Sequence, residues 1–117
     1  MPTREDSFLY MAEDFSRIFG DYLDPFREAE WEQIQEKFPL GSEVIGQVEL
    51  IYPFGCFLKI EPGFPALLLI TKIASSVPLV PNEYARVIQV GMKLTAKIWV
   101  YDGDKRQIGL TQIHEEE

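Results

Sequence analysis

Apolar residues recur along the first third of the chain at spacings of three and four. Phe8, Met11, Phe15, Ile18 and Tyr22 fall on one helical face, and Leu9, Ala12, Phe19 and Leu23 widen the stripe. The pattern predicts a helix beginning near residue 7, with Asp6 or Ser7 as its cap and acidic residues favourable in its first turn. Gly20 weakens that helix by about 1 kcal/mol relative to alanine. Asp24-Pro25 then reads as an N-cap followed by proline at the first helical position. A second helix is expected to about Lys37, with Phe26, Trp31, Ile34 and Phe38 as its apolar contributions, and Pro39 ends it.

At Gly41 the period changes to two. Val44, Gly46, Val48 and Leu50 share one face, with Glu43, Ile45, Gln47 and Glu49 on the other. Further on, Leu94, Ala96, Ile98 and Val100 alternate with Lys93, Thr95, Lys97, Trp99 and Tyr101. Such alternation predicts half-buried strands with one core-facing side. Strands are expected near 42–51, 54–61, 65–70, 93–101 and 107–112. Ser75 to Pro81, with two prolines and two serines, reads as loop, and Glu83 to Gln89 as a short helix. Five short strands with a helix between the third and fourth fit an OB barrel better than a sandwich. The expected architecture is mainly β: an acidic helical arm over residues 1–39, a five-stranded OB-type barrel over 40–114, and an acidic tail over 115–117.

Composition sharpens this outline. The 117 residues are 46% hydrophobic, which suits one small globular domain with an appendage. The longest apolar run, Ala66 to Ile70, is too short to cross a membrane. No charged segment followed by an apolar one opens the chain, so no secretory signal is expected. The single cysteine, Cys56, precludes an internal disulfide, and cytoplasmic residence is the expectation. The net charge is −8, unevenly spread. Residues 1–38 carry four basic and ten acidic side chains, residues 39–114 seven basic and six acidic, and Glu115 to Glu117 add three more negative charges. The barrel is thus nearly neutral, and an acidic flank opposes polyanion binding within a Debye length of roughly 8 Å.

Enzyme chemistry finds little material, and no catalytic residue, cofactor or metal is expected. His114 is the only histidine and lies near the end of the chain. One cysteine and one histidine do not make a standard structural zinc site. No phosphate-cradling glycine loop and no nucleophile elbow is present. Asp102 and Asp104 form a close carboxylate pair, but Asp-Gly-Asp between two strands is turn chemistry. Cys56 alternates with Leu58 and Ile60, which points to core packing.

A more specific signal comes from two stretches, Gly41-Ser-Glu-Val-Ile-Gly46-Gln-Val48 and Pro53-Phe54-Gly55-Cys56-Phe57-Leu58. With Ala66 to Thr71, the strand ending at Tyr101, the Asp102-Gly103 turn and Ile108-Gly-Leu110-Thr111, residues 40–113 resemble the ribosomal S1-type RNA-binding domain. The resemblance implies surface aromatics at Phe54 and Phe57 that stack on bases, a contribution of about 1–3 kcal/mol per base. Lys59, at the same parity as Phe57, would meet a phosphate. The family's histidine on the third strand is replaced by Leu69. Asp102 matches its aspartate. Gln107 stands where its arginine is expected, so Arg106 substitutes only if the turn is bulged.

Two functional readings follow. The first is a small non-enzymatic module that binds single-stranded RNA weakly through Phe54, Phe57 and Lys59, with Asp102 and Arg106 beside them. The second is an acidic protein-interaction module, for example an inhibitor or immunity protein for a basic nuclease. It would use Phe54, Phe57 and Leu69 as an apolar patch and the arm's carboxylates for steering. The arm's stripe is expected to pack on the barrel or on a second copy of the chain. Membrane binding is disfavoured because the polar face of the arm is acidic.

Overall fold

The structure, a computed structural model, describes residues 14–60, 63–74, 84 and 86–113. The expected helix start at Asp6 or Ser7, the apolar positions Phe8, Leu9, Met11 and Ala12, the loop 75–81 and the acidic tail lie outside them. Residues 14–19 are helical (α1). Asp24 Oδ1 then accepts from the Phe26 N–H at 2.8 Å and caps a 3-10 turn, Pro25–Arg27, which runs into α2, Glu28–Lys37. The aspartate-proline pair therefore starts a helix as its chemistry requires, although the first turn is tighter than an α-helix.

Five strands follow: β1 (Glu43–Tyr52), β2 (Gly55–Ile60), β3 (Phe64–Leu69), β4 (Lys93–Asp102) and β5 (Gln107–Thr111). They close into a barrel in the order β1-β2-β3-β5-β4, antiparallel except for the β3–β5 pair. Between β3 and β4, Ile70–Lys72 form a 3-10 turn, and Tyr84, Arg86 and Val87 are helical. Among the described residues no helix is long and apolar enough to cross a membrane.

Inside the barrel Val44, Val48, Cys56, Leu58, Phe64, Ala66, Leu68, Ala96, Ile98, Ile108 and Leu110 are buried. The alternation holds along the first half of β1 and then fails, because the register against β2 slips between Val48 and Leu50. One extra residue reverses the side-chain parity. Leu50, expected in the core, instead packs beside Phe57, while Ile51 joins the core. A second slip, between Ile98 and Val100 of β4, has the same effect. It turns Tyr101, expected on the outer face, onto the core.

There Tyr101 meets α2. Its ring lies edge-on to Trp31 at 5.5 Å, and its hydroxyl donates to the Phe38 carbonyl at 2.6 Å. Trp31 also packs edge-on to Phe64 at 5.1 Å, and Ile34 is buried in the same cluster. The second half of the arm is thus part of the barrel core. Phe26, expected to contribute to it, is 95% exposed: the capping geometry at Asp24 fixes where the 3-10 turn begins and leaves that ring in solvent.

Cys56 is fully buried between β1 and β3, and burial pushes its thiol up to about 11. Only the thiolate is nucleophilic, so the native protein should resist iodoacetamide near neutral pH while the urea-unfolded chain reacts. Because the folded value lies above the ordinary one, the stabilising contribution of the neutral thiol is complete below the ordinary range. It is lost as the pH rises through about 11. A urea midpoint that did not fall over that alkaline window would contradict the assignment.

Candidate functional site

The outer face of β2 carries Phe57 and Lys59, and the corner before it carries Phe54. The corner is tight because Gly55 lies against the backbone of β3: a Cβ there would sit 2.5 Å from the Leu68 carbonyl oxygen. This close approach sets Phe54 parallel to Tyr52, with ring centroids 5.4 Å apart and planes inclined by 5°. Phe54 is 41% exposed, so it is open on the other side. Tyr52 completes an aromatic pair that sequence reasoning did not single out.

Phe57 is placed differently. It is only 3% exposed, because helix α1 lies across it. Phe15 meets its ring edge-on at 4.6 Å, and Phe15, Phe19 and Phe57 form a small cluster with Ile18, Tyr22, Leu50, Tyr52 and Leu67 around it. The two cations of the expected interface also face the arm. Lys59 Nζ donates to the Ile18 carbonyl at 3.3 Å. Arg106 Nη1 donates to the carbonyls of Tyr22 at 3.2 Å and Asp24 at 2.6 Å. Arg106 precedes β5 with a φ of +48°, a left-handed conformation unusual for a residue with a side chain. Gln107 pairs with Asp102 across the ladder.

Asp102 acts first as turn chemistry. Its Oδ1 accepts from the N–H groups of Asp104 and Lys105 at 3.2 and 3.3 Å. Leu69 is half-buried and lines a shallow groove of about 150 Å³ with Trp99, Asp102, Lys105, Gln107 and Gly109. Trp99, which sequence reasoning left among the outward positions of β4, is 48% exposed with Lys72 Nζ 5.0 Å from its ring centre. The structure therefore brings Phe54, Phe57 and Lys59 together on one face, and places Leu69 and Asp102 on the neighbouring groove. It ties Arg106 to the arm. The apolar stripe of α1 was visible in the sequence; its target was not.

No family model matches the chain. A 4-hydroxy-3-methylbut-2-enyl diphosphate reductase from Clostridium acetobutylicum is 34% identical over 84 residues, which is 72% of this chain and 13% of that protein. The small ribosomal subunit protein bS1 of Chlamydia muridarum is 31% identical over 81 residues, 69% of this chain and 14% of that protein. The chain thus spans about an eighth of the length of these relatives. Among solved structures, a chain of the a/eIF2alpha-aDim2p-rRNA complex from Pyrococcus horikoshii superposes with a TM-score of 0.55 at 28% identity. The match covers 62% of this chain and 42% of that one. Strand order, the Phe54-Gly55 corner and these likenesses agree: the barrel belongs to the S1-type domains of the OB fold.

Proposed function

We propose that the chain is a nucleic-acid-binding module that engages single-stranded RNA weakly, with little sequence preference, through the outer face of β2. The carrying observation is the juxtaposition of the Tyr52–Phe54 stack, Phe57 and Lys59 on one side of an S1-type barrel. Aromatic rings offer every base a surface to stack on, and the lysine offers a phosphate an ion pair. Support comes from the relatives: one is a ribosomal protein, and a solved neighbour is part of an assembly with rRNA. Asp102 and Arg106 stand at the edge of this face as secondary contacts. The chain's acidity and the scarcity of cations make the affinity low. The reductase likeness covers too little of that enzyme to carry its chemistry across, and no catalytic role is proposed.

The reading as a protein-interaction patch formed by Phe54, Phe57 and Leu69 gains no specific observation. Helix α1 covers Phe57 against either kind of partner, and Leu69 is half-buried in the neighbouring groove rather than on the Phe57 face.

Phe54→Ala is the discriminating variant, since Phe54 touches Tyr52 and Phe57 and is itself exposed. A base stacked there makes the variant bind a short single-stranded RNA more weakly by about 1–3 kcal/mol. The salt dependence should be shallow, with a logarithmic slope of about −1.4 if about two phosphates are neutralised on a single strand. RNA that shifts no amide resonance between residues 54 and 59 at low salt would remove this reading.

A further inference from the structure

Helix α1 occupies the proposed RNA face with the same two kinds of contact that a nucleotide strand would make. Phe15 puts an aromatic edge on Phe57 at 4.6 Å, where a base would stack. The Ile18 carbonyl, at the end of α1, accepts from Lys59, and the Tyr22 and Asp24 carbonyls, in the connection to α2, accept from Arg106, where phosphate oxygens would accept. A carbonyl at the end of a helix carries partial negative charge and lacks a partner within the helix, so that of Ile18 suits such a cation, whereas the Asp24 carbonyl also accepts from the Arg27 N–H at 2.9 Å.

The two halves of the arm are anchored separately. Trp31 and Ile34 of α2 belong to the barrel core, whereas Phe15 and Phe19 of α1 belong to the small outer cluster centred on Phe57. Between them runs a non-helical stretch, residues 20–24, that begins at Gly20 with a φ of +62° and nothing within 4 Å of a Cβ placed there. Rotation at Gly20 takes α1 off the barrel and leaves Trp31 and Ile34 in the core, while Tyr22, which packs against both clusters, and the Arg106 bonds to the Tyr22 and Asp24 carbonyls hold the rest of the connection in place. The closed arrangement also has a flaw. The Tyr52 hydroxyl, beside the outer cluster, is buried with no hydrogen-bond partner. Opening returns it to water, which favours release.

We propose that α1 is a built-in competitor for this face: the helix and single-stranded RNA occupy it in turn, and RNA binds the form in which α1 has swung away about Gly20. The proposal rests on the RNA reading above. The apparent affinity is then the affinity of the open form reduced by the fraction of molecules that are open.

The test uses the full chain and a single-stranded oligouridylate of about ten nucleotides, a length within the site size of one OB fold. Amide hydrogen exchange is followed at residues 17–20, together with RNA affinity, for the wild type, for Phe15→Ala with Phe19→Ala, and for Tyr52→Phe. The double variant should exchange fast at those amides and bind RNA about tenfold or more tightly, corresponding to a wild-type open fraction of about a tenth or less. Tyr52→Phe keeps the ring that stacks on Phe54 but removes the orphaned hydroxyl, so it should protect the same amides further and weaken binding. Saturating RNA should itself speed exchange at 17–20 in the wild type. RNA that binds while these amides stay protected, with the double variant binding no tighter, overturns the competition. RNA that binds neither protein, although exchange shows the double variant's arm released, overturns the RNA reading and this inference with it.

Discussion

Replacing Phe64 by alanine should lower the unfolding free energy by about 3–5 kcal/mol, the largest single-residue loss expected in this chain. Phe64 is fully buried at the start of β3. It carries the edge-on contact to Trp31 at 5.1 Å, and the Arg27 guanidinium lies 4.7 Å from its ring centre. Truncation leaves a cavity where the barrel meets α2, flanked by a rigid sheet on one side, so collapse around it is poor. Against a total stability of about 5–15 kcal/mol, the loss brings the domain close to its threshold. The melting temperature should fall by roughly 10–20 °C. Urea unfolding followed by tryptophan fluorescence reads the effect, because Trp31 sits on the deleted ring. Phe26→Ala is the control: its ring is in solvent, and the change should stay within about 0.5 kcal/mol. A loss at Phe64 no larger than at Phe26 would refute the account of how α2 is held.

Gly55→Ala should be nearly as damaging, at about 3 kcal/mol, the upper end of ordinary overpacking. The new methyl would meet the Leu68 carbonyl oxygen at 2.5 Å and the Leu69 Cα at 2.8 Å. Both are backbone atoms of the strand to which Gly55 is paired, so no side-chain rotation relieves the clash. The Gly55–Leu69 pairing must open, and the Phe54 corner must move with it. Gly109→Ala provides the contrast. There the methyl runs into Val100 Cγ1 and the Trp99 indole, side-chain rather than backbone atoms, so a rotamer of Val100 and not a strand pairing must give. The ordering of the two losses, rather than either value alone, tests the argument. If Gly109→Ala costs more than Gly55→Ala, backbone approach is not what fixes the corner. Cross-strand amide contacts between β2 and β3 report the same event locally.

The barrel was legible because two-residue periodicity is a property of the strand itself. Val44, Gly46 and Val48 alternate with Glu43, Ile45 and Gln47 in sequence as they do in burial. The helix start at Asp24-Pro25 was legible for the same reason, since a cap is made by a side chain and the backbone two residues on. The two bulges were not. Nothing local distinguishes Glu49 or Trp99 from their neighbours, and a bulge is decided by how much a strand must bend to close the barrel. That bend sent Leu50 outward and Tyr101 inward against the alternation.

The candidate site divides along the same line. That Phe54 and Phe57 flank a glycine corner, that Lys59 shares the parity of Phe57, and that a hydrophobic stripe precedes the barrel in an acidic arm are all readable along the chain. Each is a fact of spacing or composition, carried by residues a few positions apart. What that stripe covers is set by the folded barrel. Phe15 meets Phe57 across 42 positions of sequence, and Arg106 reaches the Tyr22 carbonyl across 84. Periodicity states that a face must be buried; it does not state against what. The choice falls to an outer surface that is apolar at its centre and flanked by Lys59 and Arg106, and that surface exists only once β1, β2, β3 and β5 lie side by side.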